Sequence, residues 1–338
     1  MATAAPLTMQ TAPASDAAIA VTGLVKRYDR VTAVNGIDLE VRRGEIFGFL
    51  GPNGAGKSTT IAILCTLVRA TEGSATVAGI DVARHPDEVR ARIGLVFQDP
   101  SLDNQLTARE NLTFHAMVYG VPRSERRERI ERALAMVDLS DRANATVLTY
   151  SGGMKRRLEV ARGILHAPEV LFLDEPTQGL DPQTRARLWD HLRDIRRTTG
   201  LTIFMTTHYM EEAEWCDRIA IIDQGRIVAL GSPDELKSQV GGDVVVLQTD
   251  DNVRASAEIA ATLGVVATPD GEMLHIEVAD GAAFVPRLIT ALSLPVKTVT
   301  VRRPSLDDVF LKLTGRAIRE GDADGRQAFM RAFAARRG

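Results

Sequence analysis

Apolar residues alternate with polar ones in two early stretches, 19–28 and 37–41, the second with Asp38 and Glu40 set between Ile37, Leu39 and Val41. A period of two predicts half-buried antiparallel strands. Residues 46–50 form a short β-prone run, and 74–82 and 93–98 continue the β pattern. Between them, 58–68 carries Ile61, Ile63, Leu64 and Leu67 with helical spacing.

From 107 to about 166 the pattern turns helical. Thr107 with Glu110 fits a capping box, and 124–137 sets a charged face against Ile130, Leu134 and Met136. This predicts an all-helical insert in an α/β core. Residues 170–173 and 201–206 are continuous apolar runs, as buried parallel strands require, with a charged amphipathic helix over 182–198 between them. Runs at 218–223 and 226–230 flank Gln224-Gly225 as a hairpin, and Ser232-Pro233-Asp234-Glu235 caps a further helix.

After Gly241-Gly242 the pattern restarts as strand 244–248, helix 253–263, strand, a Pro269-Asp270-Gly271 turn, strand 273–278, helix 284–292 and strand 296–301. That β-α-β-β-α-β order predicts a small ferredoxin-like α+β module. Ser305 and Asp308 cap one more helix to Thr314. The predicted domains are therefore 19–240, holding the α/β core and its insert, and 243–315, the accessory module. Residues 1–18, rich in Ala, Thr, Pro and Ser, read as a disordered leader, and the Arg-rich 316–338 as a solvated helix or disordered tail.

Composition narrows the setting. The 338 residues, 45% hydrophobic and 25% charged, suit about two domains with ample core. A formal net charge of -3 gives no support to nucleic acid as main partner. Cys65 and Cys216 suggest neither a disulfide framework nor a metal cluster, so a reducing, cytoplasmic setting is expected. No apolar run approaches the roughly 18 to 20 residues that span a bilayer, and no basic segment followed by an apolar core opens the chain. The expectation is a protein that neither crosses the membrane nor is exported.

Chemistry concentrates in three segments. Gly51-Pro52-Asn53-Gly54-Ala55-Gly56-Lys57-Ser58-Thr59 fits G-x-x-x-x-G-K-[ST] between a strand and a helix, the context of a phosphate-binding loop. Glycines let backbone N-H groups point inward, Lys57 would reach the β- and γ-phosphates, and Ser58 would coordinate Mg²⁺. Asp174 and Glu175 end the buried run 170–173, where open α/β sheets bind ligands; Asp174 would hold Mg²⁺ and Glu175 would polarise an attacking water. Tyr150-Ser151-Gly152-Gly153-Met154 opens another helix, by itself either a weak anion site or a plain serine N-cap.

In order, the loop, Gln98, Ser151-Gly152-Gly153, Leu171-Phe172-Leu173-Asp174-Glu175-Pro176-Thr177, Gly179-Leu180-Asp181 and His208 resemble the nucleotide-binding domain of ATP-binding cassette transporters over roughly 19–239. The resemblance implies a homodimer in which Ser151, Gly152 and Gly153 of one copy close on ATP held by the loop of the other. It also implies that Tyr28 stacks on adenine, that Gln98 touches Mg²⁺ or the lytic water, that Asp181 crosses the dimer interface, and that His208 bonds the γ-phosphate and orients Glu175. Tyr150 and Met154 stand where the family usually has Leu and Gln, which puts helix packing and subunit pairing in question.

Residues 104–112 and 304–311 resemble the multidrug and antibiotic exporter branch typified by daunorubicin-resistance subunits. The implied role is the ATP-hydrolysing subunit of an exporter of drugs, antibiotics or lipids, peripheral on the cytoplasmic face of the membrane and driving a separate permease. A soluble clamp of the same fold acting on nucleic acid or a protein assembly is the rival. It would be expected to show a basic face, a coiled-coil insert or two cassettes in one chain. A small-molecule kinase would leave Ser151-Gly152-Gly153 unexplained.

Overall fold

The structure is a computed structural model and describes residues 17–29, 31–99, 101–239 and 241–314. Of the expected leader, 1–16 lie outside these, as does the expected tail, but Ala17 and Ala18 are not leader: both are buried and open the first strand, where Ala17 pairs with Arg42 of the strand that follows. The chain divides into two compact units. The first comprises residues up to Phe47, Gly54–Thr206 and Gln224–Arg226; the second comprises Gly48–Asn53, Thr207–Asp223 and the residues from Ile227 onward.

In the first unit, β1 (Ala17–Tyr28) and β2 (Val31–Arg42) pair antiparallel, and Ile37, Leu39 and Val41 face inward while their polar neighbours stay exposed. The strand β3 (Ile46–Leu50) is entirely buried and crosses from the first unit into the second. The helix α1 (Lys57–Leu64) follows the glycine loop. The run 74–82, read from sequence as one stretch of strand, is two: β4 (Glu72–Val77) and β5 (Ile80–Asp81), with Val77 opposite Ile80. Ala78 (φ 52°) and Gly79 (φ 78°) both take left-handed backbone, the conformation of a two-residue hairpin turn. These strands form a sheet ordered β2-β1-β4-β5.

Next come α2 (Pro86–Arg92), which the sequence reading passed over, and β6 (Ile93–Val96). The insert contains α3 (Ala108–Val118), α4 (Arg123–Met136) and α5 (Gly152–Ile164), and the Thr107–Glu110 capping box forms in full. Then β7 (Val170–Asp174), α6 (Pro182–Thr199) and β8 (Thr202–Thr207) follow. The strands β6, β7 and β8 run parallel, with Val96 opposite Leu173 and Asp174 opposite Thr206. Every residue of β8 is buried, as are the first four of β7. Phe204 packs against Phe47 and Phe172 at ring separations of 5.7 and 5.6 Å. Buried aromatic and aliphatic surface on both faces fixes this register.

In the second unit, the short α7 (Met210–Ala213) leads to β9 (Arg218–Asp223) and β10 (Arg226–Gly231), in strand order β10-β9-β3, and then to α8 (Pro233–Ser238). The ferredoxin-like order follows as read: β11 (Asp243–Thr249), α9 (Asn252–Leu263), β12 (Ala267–Asp270), β13 (Met273–Val278), α10 (Gly281–Ala291) and β14 (Val296–Arg302). The sheet order is β12-β13-β11-β14, all pairs antiparallel, over a core of Val245, Leu247, Ile259, Leu274, Ile276 and Leu288. The helix α10 begins three residues earlier than read because Asp280 caps it, accepting from Ala283 N at 2.9 Å. The last helix, α11 (Leu306–Thr314), packs against α7 and α8.

Candidate active site

Parallel register brings the carboxyl ends of β6, β7 and β8 side by side, so residues just beyond them share one edge. There, within the first unit, five of the predicted residues meet. Ser58 Oγ donates to Asp174 Oδ1 at 3.3 Å, and Thr206 Oγ1 donates to the same oxygen at 2.5 Å. Lys57 Nζ lies 3.4 Å from Glu175 Oε1, with both side chains more than nine-tenths buried. Gln98 donates through Nε2 to Glu175 Oε2 at 3.3 Å and also bonds Gln178 Oε1.

The loop's geometry explains its residue types. Gly56 caps α1 at φ 111°, a backbone that L side chains rarely adopt, and no side chain caps the helix's first turn. Its positive end, together with Lys57 in the first helical position, is suited to phosphate oxygens. Thr59 is buried, and Gly54 is exposed. Gly51 and Asn53 belong to the second unit, where Gly51 N donates to Thr207 O at 3.3 Å.

Burial sets the electrostatics. It lowers the Lys57 ammonium from its ordinary range, against the opposing pull of Glu175, and raises the Asp174 carboxyl, against the hydrogen bonds from Thr206 and Ser58. Two hard oxygens 3.3 Å apart, from Ser58 and Asp174, suit adjacent positions on a small divalent cation with bonds of about 2.0–2.1 Å. The donor set thus fits Mg²⁺.

A second grouping forms around Thr184. Asp181 caps α6, accepting from Thr184 N at 3.0 Å and from Thr184 Oγ1 at 2.6 Å. A β-carbon on Gly153 would fall 2.2 Å from Thr184 Cγ2, so only glycine lets the start of α5 approach this closely. Ser151 and Gly152 are exposed, and Ser151 Oγ accepts from Met154 N at 3.2 Å, the N-cap role. Tyr28 sits at the end of β1, half-buried, with Lys26 Nζ 4.8 Å from its ring centre. His208 lies in the second unit, its ring 4.1 Å from that of Tyr209. There Thr207 Oγ1 donates to the buried Glu212 at 2.7 Å and accepts from Tyr209 N at 3.0 Å. Sequence reasoning missed Thr206, Gln178 and Arg156, whose places depend on register and packing.

Two family models match the chain: ABC transporter over residues 34–178, and the C-terminal domain of DrrA1-3-like ATP-binding proteins over 231–314. The daunorubicin resistance ATP-binding protein DrrA3 of Streptomyces coeruleorubidus is 43% identical over 307 residues, covering 89% of this chain and 97% of that one. This chain belongs to the ATP-binding subunits of ABC transporters. The linearmycin resistance ATP-binding protein LnrL of Bacillus subtilis is 38% identical, covering 87% of this chain and 97% of its own. Among solved structures, the ATP-binding cassette MJ0796, captured as a post-hydrolysis dimer with ADP and Pi, matches 63% of this chain and 98% of its own at a TM-score of 0.58 and 28% identity. The ABC subunit described here binds ATP and is an ATPase.

Proposed function

We propose that this ABC ATPase works as a homodimer that drives a separate membrane permease, exporting drug, antibiotic or lipid. Residues 19–240 act as the nucleotide-binding domain and 243–315 as its accessory module. The observation carrying this reading is the split of phosphate-directed chemistry between two places: Lys57, Ser58, Asp174 and Glu175 together, and an exposed Ser151-Gly152 at the start of α5. Two copies facing one another give each ATP the loop of one and the serine-glycine-glycine of the other.

Within each site, the loop N-H groups from Gly51 to Thr59, Asn53 among them, and Lys57 hold the phosphates; Tyr28 stacks on adenine. Ser58, Asp174 and Gln98 hold Mg²⁺, which supplies charge neutralisation to the phosphates when bound. Glu175 takes the proton of the attacking water, His208 holds Glu175 and the γ-phosphate in line, and Asp181 contacts the partner copy. The names of the relatives above support a resistance exporter. Among the described residues, no helix is long and apolar enough to cross a membrane, consistent with a peripheral subunit on the cytoplasmic face.

Purification of the tagged chain from its host in mild detergent tests the reading. An integral membrane protein should co-elute, and cells lacking the chain should become sensitive to at least one exported compound. ATPase activity stimulated by DNA, with no membrane partner, would contradict it.

A further inference from the structure

The guanidinium of Arg156 is buried in the first unit, and its bonds run to two separate segments of the site. Nε donates to Pro176 O at 2.6 Å, Nη1 to Phe97 O at 2.5 Å, and Nη2 to Asp174 O and Glu175 O at 3.2 Å each. Phe97 directly precedes Gln98. Asp174 and Glu175 carry the proposed Mg²⁺ ligand and base. A single rigid fork therefore holds the backbone on either side of the Gln98–Glu175 contact.

Its counter-ion is Glu159, one helical turn further along α5 and fully buried, 2.9 Å from Nη1. The other Glu159 oxygen accepts from Ser101 N at 2.9 Å, and Arg162 on the next turn donates to Ser101 O at 2.7 Å. One face of α5 thus fastens Phe97 and Ser101, on either side of Gln98 and Asp99. Glu175 needs such fastening, because its φ of 45° places a non-glycine residue in left-handed backbone, and Thr206 Oγ1 secures its N-H at 3.0 Å. The helix that carries these groups is the one that starts at Ser151-Gly152-Gly153.

We propose, building on the dimer reading above, that Arg156 with Glu159 is a positioning residue: it sets Gln98 and Glu175 relative to each other and ties both to α5. Engagement of Ser151 by the partner's nucleotide is thereby linked to alignment of the base in the same chain. Neither side chain touches the reacting atoms, so removing the fork lowers turnover and leaves nucleotide affinity unchanged.

The test uses the full-length chain. Replacing the pair together, Arg156→Met with Glu159→Met, removes both buried charges and avoids stranding one of them. Arg156→Lys keeps the charge but loses the planar fork. Both variants should stay folded at the assay temperature, with a lower melting temperature where backbone groups lose their partner. They should retain the KM for ATP while kcat per folded dimer falls about 10–100-fold, the cost of misplacing catalytic groups. Unchanged kcat in either, or a fall that only follows loss of folded protein, would overturn the proposal, as would a rise in KM at constant kcat. Failure of the base assignment reads out separately, as hydrolysis by Glu175→Gln.

Discussion

Glu175 combines an unfavourable backbone with a buried, ion-paired carboxylate, and the surroundings show what keeps it there. Its φ is 45°, its N-H is held by Thr206, and its carboxylate lies between Lys57 and Gln98. Strain of this kind persists where packing over-determines it. Asp174, one residue earlier, is bonded to Ser58 and Thr206, and the proposed function gives Glu175 the proton transfer. Glu175→Gln keeps the shape and one of the two acceptor oxygens, loses the charge paired with Lys57, and cannot act as a base. Turnover should fall about 10²–10⁴-fold while ATP binding holds and an ATP-bound dimer accumulates. Isotope-labelled ATP, followed by filter binding and phosphate release, reads both quantities; normal phosphate release would remove Glu175 from the role of base.

Helix ends and strand ends do most of the positioning, and they differ in how openly the sequence declares them. The Thr107–Glu110 and Ser232–Glu235 boxes, the glycine loop and the continuous apolar runs of β7 and β8 are local signals, and each forms where read. Thr206 is different: its hydroxyl reaches Asp174 only because β7 and β8 align those two residues, a fact held in the pairing of distant segments. Arg156 looks like one more arginine in Lys155-Arg156-Arg157 until packing turns it inward. The turn after β4 was hidden because alanine seldom takes positive φ. The helix α2 did carry signals, Pro86 at its first position with Asp87 and Glu88 in the first turn.

Within the insert, His115 of α3 packs at a tilt against Tyr119, which stacks with His166, at ring separations of 4.5 and 4.0 Å. Burial, then the charges of Arg162 and His166, pushes the His115 pKa down to about 4. The unfolded chain, with histidine near 6.5, binds more protons than the folded one between these values. The contribution of this neutral ring is therefore complete above pH 6.5 and is lost as pH falls toward 4. Thermal melts across that window should show His115→Gln with a shallower decline than the unsubstituted chain. An equal decline would place the acid sensitivity elsewhere.

Lys57 and Ser151 both lie in the first unit, and the proposed function divides the phosphate chemistry between them. The clamping of one ATP by these residues from different copies is the central claim, and complementation tests it most directly. In a Glu175→Gln background, chains carrying Lys57→Ala and chains carrying Ser151→Arg are each mixed with themselves and with one another, and retained ATP is measured on the isolated dimers. Neither homodimer should retain ATP, whereas the mixed dimer, with one complete Lys57–Ser151 pair, should. Mixed dimers that form yet retain none, or retention only when both substitutions share a chain paired with one carrying neither, would contradict the account.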